Sequence, residues 1–455
     1  METTWPAWAI KTLAGSASCC ALACLIQQRK GNEGKGRQVF EKDSAAAAEF
    51  ARFQMRYLRV FFLVMLADWL QGTTMWELYQ SYGVNVGTLF LTGFSSSAIF
   101  GTFLGLFVDK FGRRAGCMVF CVLEIIINTL EHFPSMPLLV LGRILGGMST
   151  SLLFSAFESW MVAEHRQKGF PEEWLASTFA LCTAGNGIVA ILAGLIAQVA
   201  SDALGEIGPF QVAILLTIMA LGLLFTWEEN YGSGKNSPSI GKAWQLREDS
   251  EPEPSFRESI NLAGECIRSD SRVLLLGLVQ SLFEGAMYTF VFMWVPMMLK
   301  VAPDGILPTG LVFSSFMVCV TLGGIVFSIM LRYVEVEVGS FLVFVVAAMA
   351  MAVPIFMQDF YAVLGSFLAI ETCVGAFYAC SGLMRSKYLP DALQSSIMNL
   401  FRLPLNVFVV VGTRMSESAS PEMVFTAVSV WFAVAAILQR RLCSLNTART
   451  KSKAE

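Results

Sequence analysis

An all-α membrane protein of two six-helix halves, preceded by one further apolar helix, is the fold class this sequence predicts. Three observations carry it. Of the 455 residues 55% are apolar and only 15% charged, well under the roughly one quarter of charged residues usual in soluble domains. The apolar residues gather in runs of about 18 to 25, the length that crosses roughly 30 Å of hydrocarbon at 1.5 Å per residue. The lysines and arginines gather between those runs, on alternate loops.

The first apolar segment, WPAWAIKTLAGSASCCALACLI (5–26), has its basic cluster after it, at Arg29, Lys30, Lys35 and Arg37. A cleaved leader carries positive charge before its apolar core, so this segment is expected to be an uncleaved anchor with its N-terminus outside. Residues 1–56 form that anchor and a basic cytoplasmic segment. A surface helix is expected at 43–56, where Ala and Phe alternate with Glu49, Arg52 and Arg56.

Twelve runs follow, near 57–79, 86–108, 115–133, 137–162, 174–200, 209–227, 272–298, 309–331, 340–357, 361–384, 393–414 and 422–439. They are continuous rather than alternating, which selects helices over a barrel. The polar stretch 228–271 divides them into bundles at 57–227 and 272–439, and 440–455 is a tail. Phe256, Ile260, Ala263 and Ile267 recur at near-helical spacing, so the linker should end in an amphipathic helix on the inner membrane face. With 27–56, 109–114, 163–173, 228–272, 332–339, 385–392 and the tail in the cytoplasm, 27 of the 32 Lys and Arg residues fall on that side, counting Arg59 at the boundary. Only Lys300 and Arg414 fall on the opposite loops, a clear positive-inside asymmetry.

Several chemistries find no support. The eleven cysteines avoid the outside loops, which argues against a disulfide framework. Cys117 and Cys121 share a helix face but have no His or carboxylate beside them and read as packing residues, so no metal or cofactor is expected. No nucleophile elbow or phosphate loop occurs, so the chain does not read as an enzyme and no residue is assigned as catalytic.

Two six-helix halves on a cytoplasmic linker resemble the plan of the major facilitator superfamily, whose halves are repeats with the substrate site between them. GLFVDKFGRRAG matches that superfamily's signature through Gly105, Asp109, Gly112, Arg113 and Arg114. The resemblance implies a gate latch: Gly105 lets helices approach, Asp109 caps a helix N-terminus, and the arginines pair across halves. A plain basic turn would satisfy the same spacing. GRILGGMSTSLLFSAFESWMVAEH (142–165), with ADWLQG, LYQSYG, SLFEGAMYTFVFMW, LVFSSFM and NLFRLP, is similar to the molybdate-anion transporter family. That resemblance implies uptake of molybdate, a tetrahedral oxyanion, by a monomeric multi-pass protein of the cell membrane, with the lipid bilayer and the anion as partners and no nucleic acid.

Ionisable residues well inside the runs then matter, because each costs about 2.5–3.5 kcal/mol at a helix centre on insertion scales. They are Asp68, Glu124, Glu158, Glu284 and Glu371 against Arg143 and Arg402. Arg402 is too deep to snorkel, which leaves structural pairing or anion contact. A guanidinium offers five N–H groups in a fork that fits two oxygens at once. Asn399, one turn earlier, could add a donor, and Pro404 could kink the helix. Arg143 is a candidate for contact, snorkelling or internal pairing, and Ser155 and Ser159 for hydrogen bonds to substrate or to packing neighbours.

Asp68 and Glu284 hold matching places on the first helix of each half, which makes them candidate proton carriers. Glu158 is a charge-pair candidate, although about 22 Å of helix separates it from Arg143. Glu124 and Glu371 lie outside the specific blocks and carry less weight. Five acids against two bases would repel a dianion, so part of that charge must be neutralised by bound protons or by the arginines. Trp69, Tyr79, Tyr288 and Trp294 are read chiefly as packing residues, and His132 and His165 as solvated helix-end residues. Two other functions remain open: transport of a neutral sugar or organic solute, with Arg402 structural, and a non-transporting membrane sensor.

Overall fold

The structure is a computed structural model and describes residues 5–31, 45–100, 108, 112–230, 256–390 and 394–454. Helices dominate. The first two are α1 (Ala7–Gly31) and α2 (Ala45–Ser81), and α3 (Val86–Phe100), α4 (Arg113–Leu130), α5 (Met136–Leu153), α6 (Ala156–Gln167), α7 (Glu172–Leu204) and α8 (Gly208–Leu224) follow. Further along the chain come α9 (Phe256–Ser269), within the linker, and α10 (Ser271–Val301), α11 (Thr309–Met330), α12 (Val336–Phe356), α13 (Phe360–Tyr388), α14 (Gln394–Ser418) and α15 (Pro421–Ala454). Among the described residues, eight helical segments are long and apolar enough to cross a membrane: α1, α5 with α6, α7, α10, α11, α12, α13 and α15. The other expected spans, α2, α3, α4, α8 and α14, are shorter or more polar over their described lengths.

The chain forms two compact units. One contains α2–α8 together with the first turn of α11, Thr309–Ser314; the other contains α1, α9, α10, the remainder of α11, and α12–α15. The expected amphipathic helix near the linker's end is α9, whose Ala263 is buried.

Two expected elements differ. Residues 45–56 are not a separate surface helix, because α2 runs unbroken from Ala45 to Ser81. No Gly or Pro interrupts 45–71, and the apolar face of the first turns is buried by protein. Phe50 lies 5.3 Å from Phe170 and 5.0 Å from Trp174, centroid to centroid. The expected single helix at 137–162 is broken at Phe154–Ser155, where Ser155 leaves helical geometry (φ −120°, ψ −53°). Thr150, Ser151 and Ser155 each turn their hydroxyl to the carbonyl four residues back, at 2.9, 2.9 and 2.7 Å. Such back-bonding competes with the helical ladder and bends helices.

His165 also departs from expectation: it is fully buried, its Nε2 lies 3.0 Å from the Pro171 carbonyl, and Phe50, Phe53 and Phe170 surround it. A helix-end position predicted solvent, but the turn Lys168–Pro171 folds over the ring. His132 is half-buried, with Nδ1 2.9 Å from the Asn128 carbonyl.

The start of α4 shows why local sequence chooses its residues. Gly112 has φ +117°, a region that L side chains rarely adopt. A Cβ there would also lie 2.6 Å from the Glu229 carboxyl carbon. That carboxylate caps α4, accepting from the backbone N–H of Arg114 (2.8 Å) and of Ala115 (2.9 Å). Gly112→Ala should therefore destabilise the protein by about 1–3 kcal/mol, read as a lower midpoint in detergent thermal unfolding. Glu229→Gln keeps an acceptor for only one of the two N–H groups and turns an amide donor toward the other, so it should also destabilise, by about 1–2 kcal/mol.

Candidate functional site

In the second unit the site is set by how closely α10 and α14 approach. A Cβ at Gly277 would overlap the Phe401 ring, one at Gly285 would strike Phe408, and one at Gly412 would collide with the Thr289 side chain. Ser281 Oγ lies within 3.0 Å of the Phe401 carbonyl. Small residues let helix backbones meet and so fix their register. That register brings Arg402, the residue after Phe401, into electrostatic range of Glu284 and Tyr288 on α10.

Glu284 is half-buried and accepts a hydrogen bond from Gln280 Nε2 at 2.9 Å, while Gln280 Oε1 is buried without a partner. Arg385 on α13 also lies in electrostatic range of Glu284 and donates to Ser381 Oγ at 3.0 Å. Arg402 itself is exposed, and among the described residues no carboxylate lies within ion-pairing distance of it. Pro404 lies inside α14, which continues through it. The Asn399 side chain lies outside the described residues. Glu371 is buried on α13, and Tyr378 is in electrostatic range of Glu284, Tyr288 and Glu371. Trp294 is a packing residue, edge-on to Phe316 at 5.2 Å.

The first unit treats its charges differently. Glu124 is buried on α4 and held by three neutral donors: Gln71 Nε2 at 2.7 Å, Ser149 Oγ at 2.5 Å and Asn128 Nδ2 at 3.3 Å. Asp68, one turn before Gln71 on α2, is half-buried and in electrostatic range of Glu124. Nearer the helix end, Arg143 Nη2 pairs with Glu131 Oε1 at 2.6 Å, and Nη1 lies 3.2 Å from Met75 Sδ. Tyr79 donates to the same Glu131 oxygen at 2.9 Å, Tyr82 donates to the Glu131 carbonyl at 2.8 Å, and the Arg143 guanidinium sits 5.8 Å from the Tyr79 ring centre. Arg143 is thus engaged internally. Trp69 is tied to packing as well, its Nε1 donating to Asn186 Oδ1 at 2.9 Å.

Of the remaining candidates, Ser155 is spent on the Ser151 carbonyl, and Ser159 is half-buried. Glu158 stands exposed in the first turn of α6, in electrostatic range of Tyr57 and Cys182. In the signature loop, Gly105 and Asp109 lie outside the described residues. Glu229 supplies a cap at the start of α4. Arg114 Nε donates to the Leu224 carbonyl at 3.1 Å, and the Arg113 N–H donates to the Asn230 carbonyl at 3.0 Å. Among the described residues no group of three or more His, Cys, Asp or Glu side chains could hold a metal ion.

Glu131, Gln71, Asn128 and Arg385 escaped the sequence reading. A signal for two of them existed: Glu124, Asn128 and Glu131 fall at i, i+4 and i+7, one face of one helix. Glu131 was passed over because it stands at the end of its run, where water could have reached it.

Comparison with known proteins agrees with this architecture. Residues 34–377 match the model of a family described as sugar transporters with 12 transmembrane segments. The molybdate-anion transporter of Xenopus tropicalis is 32% identical over 379 residues, which cover 80% of this chain and 78% of that protein. The Takifugu rubripes protein of the same name is 32% identical over 417 residues, covering 86% and 85%. The nucleoside transporter NupG superposes with a TM-score of 0.64 at 14% identity, over 85% of this chain and 99% of that one. A structure of proton dependent oligopeptide transporters gives 0.65 at 13%, over 88% and 100%. The chain is an integral, multi-pass membrane transporter with the major facilitator fold, and it belongs to the molybdate-anion transporter family.

Proposed function

We propose that this transporter takes up molybdate, or a tetrahedral oxyanion of the same charge, by alternating access as a monomer in the cell membrane. One observation carries the reading: among the described residues Arg402 is exposed and without a carboxylate partner, although Glu284 stands in electrostatic range. A cation on a membrane helix that is not neutralised by its own protein is matched by a visiting anion. Arg402 offers the fork, Asn399 stands one turn earlier, and Arg385 adds a second cation in range of Glu284. Arg143, already paired with Glu131, serves the scaffold in this reading, Ser155 shapes the α5–α6 break, and the half-buried Ser159 packs within α6.

Coupling follows from charge. Moving a dianion into a negative interior costs about 4.6 kcal/mol per 100 mV, twice the unit-charge figure. Two protons carried along would cancel that charge, and three would let the potential drive uptake. Asp68 and Glu284 are the carriers in this reading; Glu124, held by three donors, steadies the acid cluster around Asp68. Glu158 stands apart at the α5–α6 break. The family-model description favours a second reading, a neutral sugar as substrate. Competition of labelled molybdate uptake by glucose and by sulfate separates the two: sulfate should compete and glucose should not.

In proteoliposomes with matched amounts of folded protein, Arg402→Gln should weaken molybdate binding by about 2 kcal/mol, roughly 30-fold. Arg402→Lys should recover only part of this, because a point charge replaces a fork. Unchanged affinity and turnover in Arg402→Gln would remove the anion site from Arg402. Glu284→Gln and Asp68→Asn should abolish accumulation driven by an imposed pH gradient while sparing molybdate exchange between the two sides. Wild-type uptake unaffected by a proton ionophore at clamped potential would exclude proton coupling altogether.

A further inference from the structure

Gln280 has no role in the coupling scheme above, yet it is the side chain that holds Glu284. The two stand at i and i+4 on α10, so they project from one face of the helix. Gln280 Nε2 donates to Glu284 Oε1 at 2.9 Å. Only 5% of Gln280 is exposed, and its Oε1 is buried with no hydrogen-bond partner. Stranding an acceptor away from water costs more than the missing bond would contribute.

An amide offers a carboxyl group two different things. Its N–H groups donate, which suits a carboxylate; its oxygen accepts, which suits only a carboxyl that carries a proton. The nitrogen and oxygen of an amide are spaced much as the two oxygens of a carboxyl are, so an acid and an amide can join through N–H···O and O–H···O together. With Glu284 ionised, one of those bonds exists and Gln280 Oε1 is stranded. A proton on Glu284 supplies the missing donor. A tetrahedral dianion cannot, because it brings acceptors only.

Other groups act on Glu284 as well. Among the described residues, Arg402 on α14, Arg385 and Tyr378 on α13, and Tyr288 on α10 itself are in electrostatic range of it. The two guanidinium groups favour the carboxylate. An oxyanion on Arg402 withdraws part of that support and sets a second negative charge near the first, which favours the protonated form.

We propose that Gln280 is a positioning residue that ties proton binding on Glu284 to anion binding at Arg402, by giving the protonated carboxyl a hydrogen bond that the carboxylate lacks. This rests on the reading of Glu284 as a proton carrier. Without substrate, Glu284 is ionised and Gln280 donates to it. With the anion bound, a hydronium ion gives its proton to the free Glu284 oxygen and leaves as water; the new O–H donates to Gln280 Oε1, and no electrons are exchanged. Loss of that proton to water on the other side of the membrane restores the first arrangement.

The test uses the full-length protein in lipid. Infrared difference spectra between acid and alkaline pH are recorded where protonated carboxyls absorb, and molybdate affinity is measured over the same pH range. Glu284→Gln identifies the Glu284 band by its loss, and it should flatten the rise in molybdate affinity on acidification. Gln280→Leu should keep the band but move its C=O stretch to higher frequency. It should also displace the affinity rise to lower pH by about one unit, the roughly tenfold in proton affinity that one net hydrogen bond is worth. Gln280→Met, a second apolar replacement, should behave alike, and a single symmetric size-exclusion peak establishes folding for each variant. A residue that merely donates to the carboxylate predicts a displacement to higher pH. That opposite sign, or an unmoved band in folded Gln280→Leu, overturns the proposal and leaves Glu284 as a carrier. A wild-type affinity profile identical to that of Glu284→Gln removes the carrier reading, and this proposal with it.

Discussion

Charged and polar side chains in hydrocarbon must be matched where they stand, and this one constraint orders both units. In the first, the match is internal: Glu131 takes Arg143 and Tyr79, and Glu124 takes Gln71, Asn128 and Ser149. Every partner comes from a different turn or a different helix, so the polar bonds also specify how α2, α4 and α5 pack. Replacing one member would strand a buried donor or acceptor, which costs more than the bond itself contributes.

In the second unit the same constraint is met by leaving the match incomplete. The glycine contacts of α10 with α14 bring Arg402 into electrostatic range of Glu284, yet the guanidinium stays exposed. A pair locked like Arg143 and Glu131 could hold no third charge, whereas a cation with spare donors can. In the function proposed above, that incompleteness is where cargo would be matched, tightly enough to be held but not so tightly that it never leaves.

How much of this the residues revealed depended on the range of the interaction. The helices and the linker helix α9 follow from run length and periodicity, both local properties. Arg402 was legible because a lone arginine in an apolar run is conspicuous whatever surrounds it. The Glu229 cap was not: 114 positions separate it from Ala115, and nothing in GRRAG announces where its capping acid comes from. Glu131 was hidden by its place at a helix end, and Arg385 by its place among the basic residues that the positive-inside rule already explained. The break at Phe154–Ser155 was hidden by hydropathy, since serines and threonines that bond their own backbone leave an apolar run looking continuous.

The unbroken α2 has a mechanical consequence. Its 37 residues make a rod about 55 Å long. Asp68 sits part-way along it, and its N-terminal end is clasped by the rings of Phe170 and Trp174. A tilt of roughly five degrees about one end would swing the other by about 5 Å. A helix of this length is a lever, so a small adjustment beside Asp68 is magnified at its Ala45 end without any residue between them having to bend.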